Sequence, residues 1–388
     1  MSAEKYAKKE LLQLKGRAPT RVSIGPVEGL INLGAGDPDF NLPKFMADAV
    51  AEAIMEGYTH YEFQGDSEFK KAVAEYYSKY GVKLDAESQV LVTSGGSQSI
   101  FHILAAFLNP GEEVIIFNPT YHGYVRPIKY FNGIIVRAPM KKDEEGYFRP
   151  DIEALEAHIS DKTKILILCN PDNPTGCVFK EDELKAIAEL AVKHDFLILS
   201  DEIYNEFIWG NRRHYPIILV PGMMERTLVA MSFSKMFAWT GCRLGFIISG
   251  SEFIEILSRV PMGICSVPVP FRRAGVVALK EGWEFNRMMR EKYWERIKYC
   301  VERLNEIPGI SCVTPEATFY LFPDISGTGM SSEEFSKRLL EEEKVRIVQG
   351  TVYGSNGEGH VRLALVKPLE TLREAMDRIE KFVRKNIK

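Results

Sequence analysis

The chain is predicted to be α/β: a large domain on a mainly parallel, mixed sheet within an α/β/α sandwich, plus a smaller α+β domain. Three observations predict this. Between about residues 90 and 250, short apolar runs recur with amphipathic stretches between them. The runs are continuous rather than alternating, as expected of strands buried on both faces of a parallel sheet. After about Glu281 the texture changes to long charged amphipathic segments with short apolar runs among them.

Taken in order, the runs are Val90–Thr93, Glu113–Phe117, Ile165–Leu168, Phe196–Leu199, Thr227–Met231 and Gly245–Ile248. Between the third and fourth lies Glu183–His194, where Leu184, Ile187, Ala188 and Ala191 recur at helical spacing. Such alternation builds a sheet with helices on both faces and gathers ligands at the carboxyl ends of the strands. Further on, Trp283–Ile307 is predicted as one extended helix. Strands are expected at Ile310–Val313, Ala317–Pro323, Val345–Gln349 and Val361–Val366, and helices near Ser331–Glu343 and Pro368–Lys385.

Composition narrows the function. The 388 residues include 45% hydrophobic and 26% charged residues, ordinary values for a globular protein, and exceed what one small core needs. A net charge of −4 gives no basic footprint for nucleic acid. No apolar run approaches the ~18 residues of a membrane span. The charged start Met1–Glu10 lacks the apolar stretch of a signal peptide, so a cytoplasmic location is expected. The six cysteines (169, 177, 242, 265, 300, 312) form no Cys-x-x-Cys pair, and the seven histidines no His-x-x-x-His pattern. Neither a metal site nor a disulfide framework is predicted.

Four motifs follow predicted strands, so distant parts of the chain can converge on one cleft. Thr93-Ser94-Gly95-Gly96 precedes a helix opening at Ser97, and free N–H groups at a helix start suit a phosphate. Asn170-Pro171-Asp172-Asn173-Pro174-Thr175-Gly176 is turn-rich, and its Asn173–Pro174 bond is a candidate cis peptide. Asp201 ends a buried strand, where a carboxylate needs a partner. Ser232-Phe233-Ser234-Lys235 sets an amine among hydroxyls, and Arg243 follows eight positions later between glycines. An amine can form a Schiff base with an aldehyde cofactor, while hydroxyls and a guanidinium can hold its phosphate. Arg362 alternates with apolar neighbours; an inward arginine is costly unless it meets an anion such as a carboxylate.

These motifs, in this order and spacing across essentially the whole chain, resemble the fold type I, pyridoxal 5′-phosphate (PLP)-dependent class I/II aminotransferases, aspartate aminotransferase-like. The resemblance implies that Lys235 holds the cofactor and shuttles a proton, and that Asp201 pairs with the pyridine nitrogen. It implies that Tyr204 and Asn173 reach the 3′ oxygen and that Tyr121 stacks on the ring. Gly96, Ser97, Gln98, Ser232, Ser234 and Arg243 would surround the phosphate. Tyr61 would reach the phosphate of the neighbouring subunit, making a homodimer with shared active sites. Arg362 and the backbone at Gly36, with Asn173, would bind the substrate. The family division puts residues 1–15 in an N-terminal arm, 16–45 with 281–388 in the small domain, and 46–280 in the large PLP-binding domain.

The implied activity moves the amino group of an L-amino acid to 2-oxoglutarate by a ping-pong mechanism. Aspartate is the commonest donor in such relatives. Ser97, however, stands where dicarboxylate-specific relatives often carry lysine, which favours aromatic, alanine-like or broad donors. A PLP carbon–sulfur lyase of the same fold would keep the same cofactor residues. A non-catalytic binding or regulatory protein would be expected to have lost Lys235 or Asp201, and both are present.

Overall fold

A computed structural model describes residues 7–14, 28–60, 67–261 and 267–387. Its strands are β1 (Ile31–Asn32), β2 (Val90–Thr93), β3 (Glu113–Asn118), β4 (Ile134–Lys142), β5 (Phe148–Pro150), β6 (Thr163–Cys169), β7 (Leu197–Asp201), β8 (Thr227–Ser232), β9 (Gly245–Ile248), β10 (Tyr320–Leu321), β11 (Val345–Arg346), β12 (Val348–Gln349) and β13 (Val361–Ala364).

Eight strands form the main sheet in the order β2-β9-β8-β7-β6-β3-β4-β5. The pairs β3/β4, β3/β6, β6/β7 and β7/β8 are parallel. Only β9 and the edge strand β5 run against their neighbours. Every predicted apolar run between 90 and 250 is therefore a strand of this sheet. Its two faces are both buried, and alternate residues divide between them: Ile165 and Ile167 pack into one core cluster, Leu166 and Leu168 into another. That is why the runs carry no polar alternation. The helix Glu181–Lys193 buries Leu184, Ile187, Ala188 and Ala191 against the sheet, as their spacing predicts. Its start is fixed by the Glu183 carboxylate, which accepts from the Lys180 N–H.

Beyond the sheet, the helix Trp283–Asn305 and the helices Ser332–Glu343 and Leu369–Asn386 match expectation to within two residues. The strands here differ. Ile310–Val313 is not a strand; it contributes one bridge, Ser311 to Asp324. The reason is local: the Asn305 side chain takes both the N–H and the C=O of Cys312, so these groups are not offered to a ladder. The expected Ala317–Pro323 strand shrinks to β10. Val345–Gln349 divides into β11, which pairs with β1, and β12, which pairs with β13. The hairpin β4–β5 was not anticipated, because Arg137, Pro139, Lys141 and Lys142 break the apolar run at this edge.

The early segment is tied to the C-terminal part. Beyond β1/β11, the Ala364 N–H donates to the Leu33 carbonyl, and Arg296 grips Asp39 with two hydrogen bonds of 2.7 and 2.9 Å.

Candidate active site

The strands β2, β6, β7 and β8 point the same way, so their carboxyl ends share one rim. Each ends at a predicted motif. β2 runs into Gly95 and the helix Gly96–Phe107; β6 runs into the loop bearing Asn173; β7 ends at Asp201; and β8 ends at Ser232. A cavity of about 480 Å³ opens there. It is lined by Gly96, Ser97, Tyr121, Asn173, Asp201, Tyr204, Ser232, Ser234, Lys235 and Arg243, together with Gly36 and Arg362 from the distant ends of the chain.

Lys235 sits in the short helix Phe233–Met236, whose first turn is held by the Ser232 hydroxyl accepting from the Ser234 N–H at 3.1 Å. Its ammonium donates to the Gly36 carbonyl at 2.5 Å. Burial, with Arg362 and Arg243 nearby, pushes the Lys235 amine down to about 8 against the opposing pull of Asp37. Asp201 is 1% exposed, and burial raises its carboxyl to about 6, although it accepts from the Tyr124 O–H at 2.7 Å.

At the other side, Arg243 donates to the carbonyls of Thr240 (2.7 Å) and Ser94 (2.9 Å), which fixes the guanidinium beside Gly95. Gly95 has φ +86°, and a Cβ there would lie 2.6 Å from an Arg243 nitrogen. Only glycine meets both demands. Arg243 itself is at φ 54°, a strained position for a non-glycine residue that a functional site can hold.

Arg362 is 2% exposed. Its two terminal nitrogens donate to the Asn173 side-chain oxygen (3.2 Å) and the Gly34 carbonyl (2.5 Å). Its guanidinium lies over the rings of Tyr320 (4.3 Å) and Tyr353 (5.2 Å). The Nε of Arg362 is buried without a hydrogen-bond partner.

The chain matches the profile of the family "Aminotransferase class I and II" over residues 28–379. The chain belongs to this family. It is 39% identical to aromatic-amino-acid aminotransferase 2 of Thermococcus litoralis over 363 residues, covering 92% of each chain. It is 40% identical to an aspartate aminotransferase of Pyrococcus horikoshii over 360 residues, covering 92% of this chain and 91% of that one. Among solved structures, an aromatic aminotransferase from Pyrococcus horikoshii superposes with a TM-score of 0.88 at 37% identity, covering 93% of this chain and 97% of the other.

The chain is thus a PLP-dependent aminotransferase, and its cavity fits that cofactor. The volume lies within the range of small-molecule sites. A buried carboxylate at one end suits a protonated ring nitrogen, and a buried amine of lowered pKa suits an aldehyde. At the other end, the start of the helix Gly96–Phe107, two serines and a guanidinium suit a phosphate.

Some features depart from the residue-level expectations. Gln98 does not line the cavity; its side-chain oxygen turns back to accept from the Ser94 N–H. Tyr61 lies outside the described residues. Three X-Pro bonds are cis, at Pro119, Pro171 and Pro174, where only the last was anticipated. The sequence reading missed Tyr124, Thr240 and Tyr320. Tyr124 follows Tyr121 by three residues, one helical turn, and that spacing was its available signal. Tyr320 had none without the pairing of β10 with β13.

Proposed function

We propose that this aminotransferase takes its amino group preferentially from an L-amino acid with an aromatic or broadly apolar side chain, aspartate being the weaker donor, and passes it to 2-oxoglutarate. The carrying observation is the cavity wall. Tyr121, Tyr204 and Tyr320 line it with Ile100 and Ile203, and its cations among the described residues are Lys235, Arg243 and Arg362. Ser97 stands where a lysine would serve a second carboxylate. One similar protein is named for aromatic amino acids and another for aspartate, which supports a range including both.

PLP, when bound, supplies an electron-withdrawing ring that accepts electrons from the substrate's α-carbon. In this reading Asp201 holds the proton on the ring nitrogen, kept in place by Tyr124. Arg362 grips the α-carboxylate by its planar fork and so orients the α-hydrogen toward Lys235. The Lys235 amine, brought down to about 8, is about a tenth neutral at pH 7, far more than an ordinary lysine, and moves the proton at that carbon. Tyr204 and Asn173 would hold the 3′ oxygen, Tyr121 would pack against the ring, and Gly96, Ser97, Ser232, Ser234 and Arg243 would hold the phosphate. Gln98 contributes by shaping that turn.

The same proposal divides the chain into an arm (1–15), a small domain (16–45 with 281–388) and a large domain (46–280). The β1/β11 pair supports the joining of early and late segments. It also makes the protein a cytoplasmic homodimer with Tyr61 of one protomer completing its partner's site. The exposed Ile54 (50%) and Met55 (78%) support an apolar contact face.

The test is an absorbance titration of the purified holoenzyme with single amino acids and no oxo acid. A donor should convert the band near ~410–430 nm to one near ~330 nm. Phenylalanine or tyrosine acting at lower concentration than aspartate supports the proposal; the reverse order overturns it.

A further inference from the structure

Tyr320 touches three parts of the site that come from three distant stretches of chain. Its hydroxyl lies 2.9 Å from the Tyr204 hydroxyl. Its ring lies beneath the Arg362 guanidinium at 4.3 Å. The backbone at Gly36 closes on it: a Cβ at Gly36 would sit 1.9 Å from the Tyr320 hydroxyl oxygen. The contacts follow from register. Tyr320 pairs with Ala364 across the antiparallel β10/β13 ladder, so Arg362 is its diagonal neighbour on the same face. Tyr320 is 2% exposed and lines the cavity.

The direction of the phenol pair follows from proton count. Each hydroxyl carries one proton. If Tyr204 gives its proton to the cofactor's 3′ oxygen, the bond between the two phenols must be donated by Tyr320. Tyr204 is then both acceptor and donor, and each bond in such a chain strengthens the next. Burial raises both phenols above their ordinary range, so both stay protonated at working pH. The charged and titratable groups facing Tyr320 include Arg362 on β13, Tyr204 beyond β7, Cys169 at the end of β6, Asp37 in the early segment, Tyr293 on the long helix and Tyr353 before β13.

We propose that Tyr320 is a positioning residue with two separable actions: its hydroxyl orients and polarises Tyr204 toward the cofactor, and its ring holds Arg362 flat for the substrate carboxylate. This rests on the roles given above to Tyr204 and Arg362. It makes the cofactor end and the carboxylate end of the site share one side chain.

The experiment compares the holoenzymes of Tyr320→Phe, Tyr320→Leu and, as a control, Tyr204→Phe. The first readout needs no turnover: the pH midpoint of the bound cofactor's absorbance without substrate. Tyr204→Phe should raise the midpoint, since a donor to the phenolic oxygen is lost, and Tyr320→Phe should raise it by a smaller amount, about half a unit. The second readout is KM against kcat. Tyr320→Phe keeps the ring and should leave the donor's KM within about twofold, whereas Tyr320→Leu should raise it about tenfold with a smaller change in kcat. If Tyr204→Phe shifts the midpoint and Tyr320→Phe does not, the hydroxyl action is overturned while the Tyr204 role stands. If neither shifts it, both fall. An unchanged KM in Tyr320→Leu overturns the ring's action. Should the leucine variant fail to fold, the phenylalanine variant still decides the hydroxyl action.

Discussion

The eight-stranded sheet and the C-terminal part contribute to one cavity by different means. In the sheet, strands of up to nine residues separate two apolar cores, and most cavity residues lie at or just beyond a strand end, with Arg243 just ahead of β9. Beyond residue 305, the strands are two to four residues long, and the cavity-lining side chains Tyr320 and Arg362 sit within them. The first arrangement is set by patterns along the chain. The second is set by which strand lies beside which. The difference shows where a site can be found by reading and where it must be folded to be seen.

The largest test of the strand-end half is Lys235→Ala. Turnover should fall by about 10²–10⁴-fold or more while circular dichroism and solubility are retained. Undiminished transamination would break the assignment of this end.

The seam between the two regions should give the largest stability effect. Glu316, 4% exposed, takes two hydrogen bonds from the buried Arg149 on β5, one from the Val178 N–H and an ion pair from Arg212. Glu316→Ala leaves the buried Arg149 with Asp143 as its one remaining carboxylate and should cost about 2–4 kcal/mol, read by denaturant unfolding. A loss confined to a few tenths would mean the seam is held by packing alone.

For the C-terminal half, Arg362→Ala should raise the donor's KM by about 10–100-fold, since a charged hydrogen-bond pair is lost. If it unfolds instead, the guanidinium serves the fold, through Gly34 and Asn173, before it serves the substrate.

A subtler contrast is in pH. Asp172 accepts from Thr120 and Thr175 and so pins the Tyr121 loop to the Asn173 loop. Burial raises its carboxyl to about 6. A raised carboxyl binds its proton more tightly in the folded state. Its contribution is therefore fully present below about pH 4 and lost as pH rises through about 6. Measured without cofactor, Asp172→Asn should gain stability relative to the parent protein across that window, by roughly 2–3 kcal/mol at most. A pH-independent difference would mean Asp172 does not titrate there.

The smallest effect is expected on the long helix. Arg287, 59% exposed, pairs with Glu284 and Glu291, and Arg287→Ala should leave Tm and kinetics unchanged.

Legibility followed the same division. Apolar runs located six of the eight strands because a sheet covered on both faces leaves an uninterrupted signal. The β4–β5 hairpin escaped because half-exposed edge strands tolerate arginine, lysine and proline. Lys235, Asp201 and Asn173 were legible as chemical groups at or just after strand ends, Arg243 as a cation between glycines, and the cavity gathers them. Gln98 was placed in the right loop, but its side chain serves the turn. Among sixteen tyrosines, Tyr124 had only its three-residue spacing from Tyr121 to set it apart, and Tyr320 had nothing local.

By itself, the sequence determined the alternating architecture, the family and the polar groups at the strand ends. These depend on residue type and on periodicities of two and 3.6, which are properties of neighbours in the chain. Only the tertiary structure decided that Gly34 and Gly36 reach Arg362 and Lys235, that Tyr124 holds Asp201, and that Tyr320 joins Tyr204 to Arg362. Those contacts span from 42 to 328 positions. The Gly34–Arg362 contact accompanies the β1/β11 pair and the Tyr320–Arg362 contact the β10/β13 pair, and no local pattern encodes the partner of a two-residue strand.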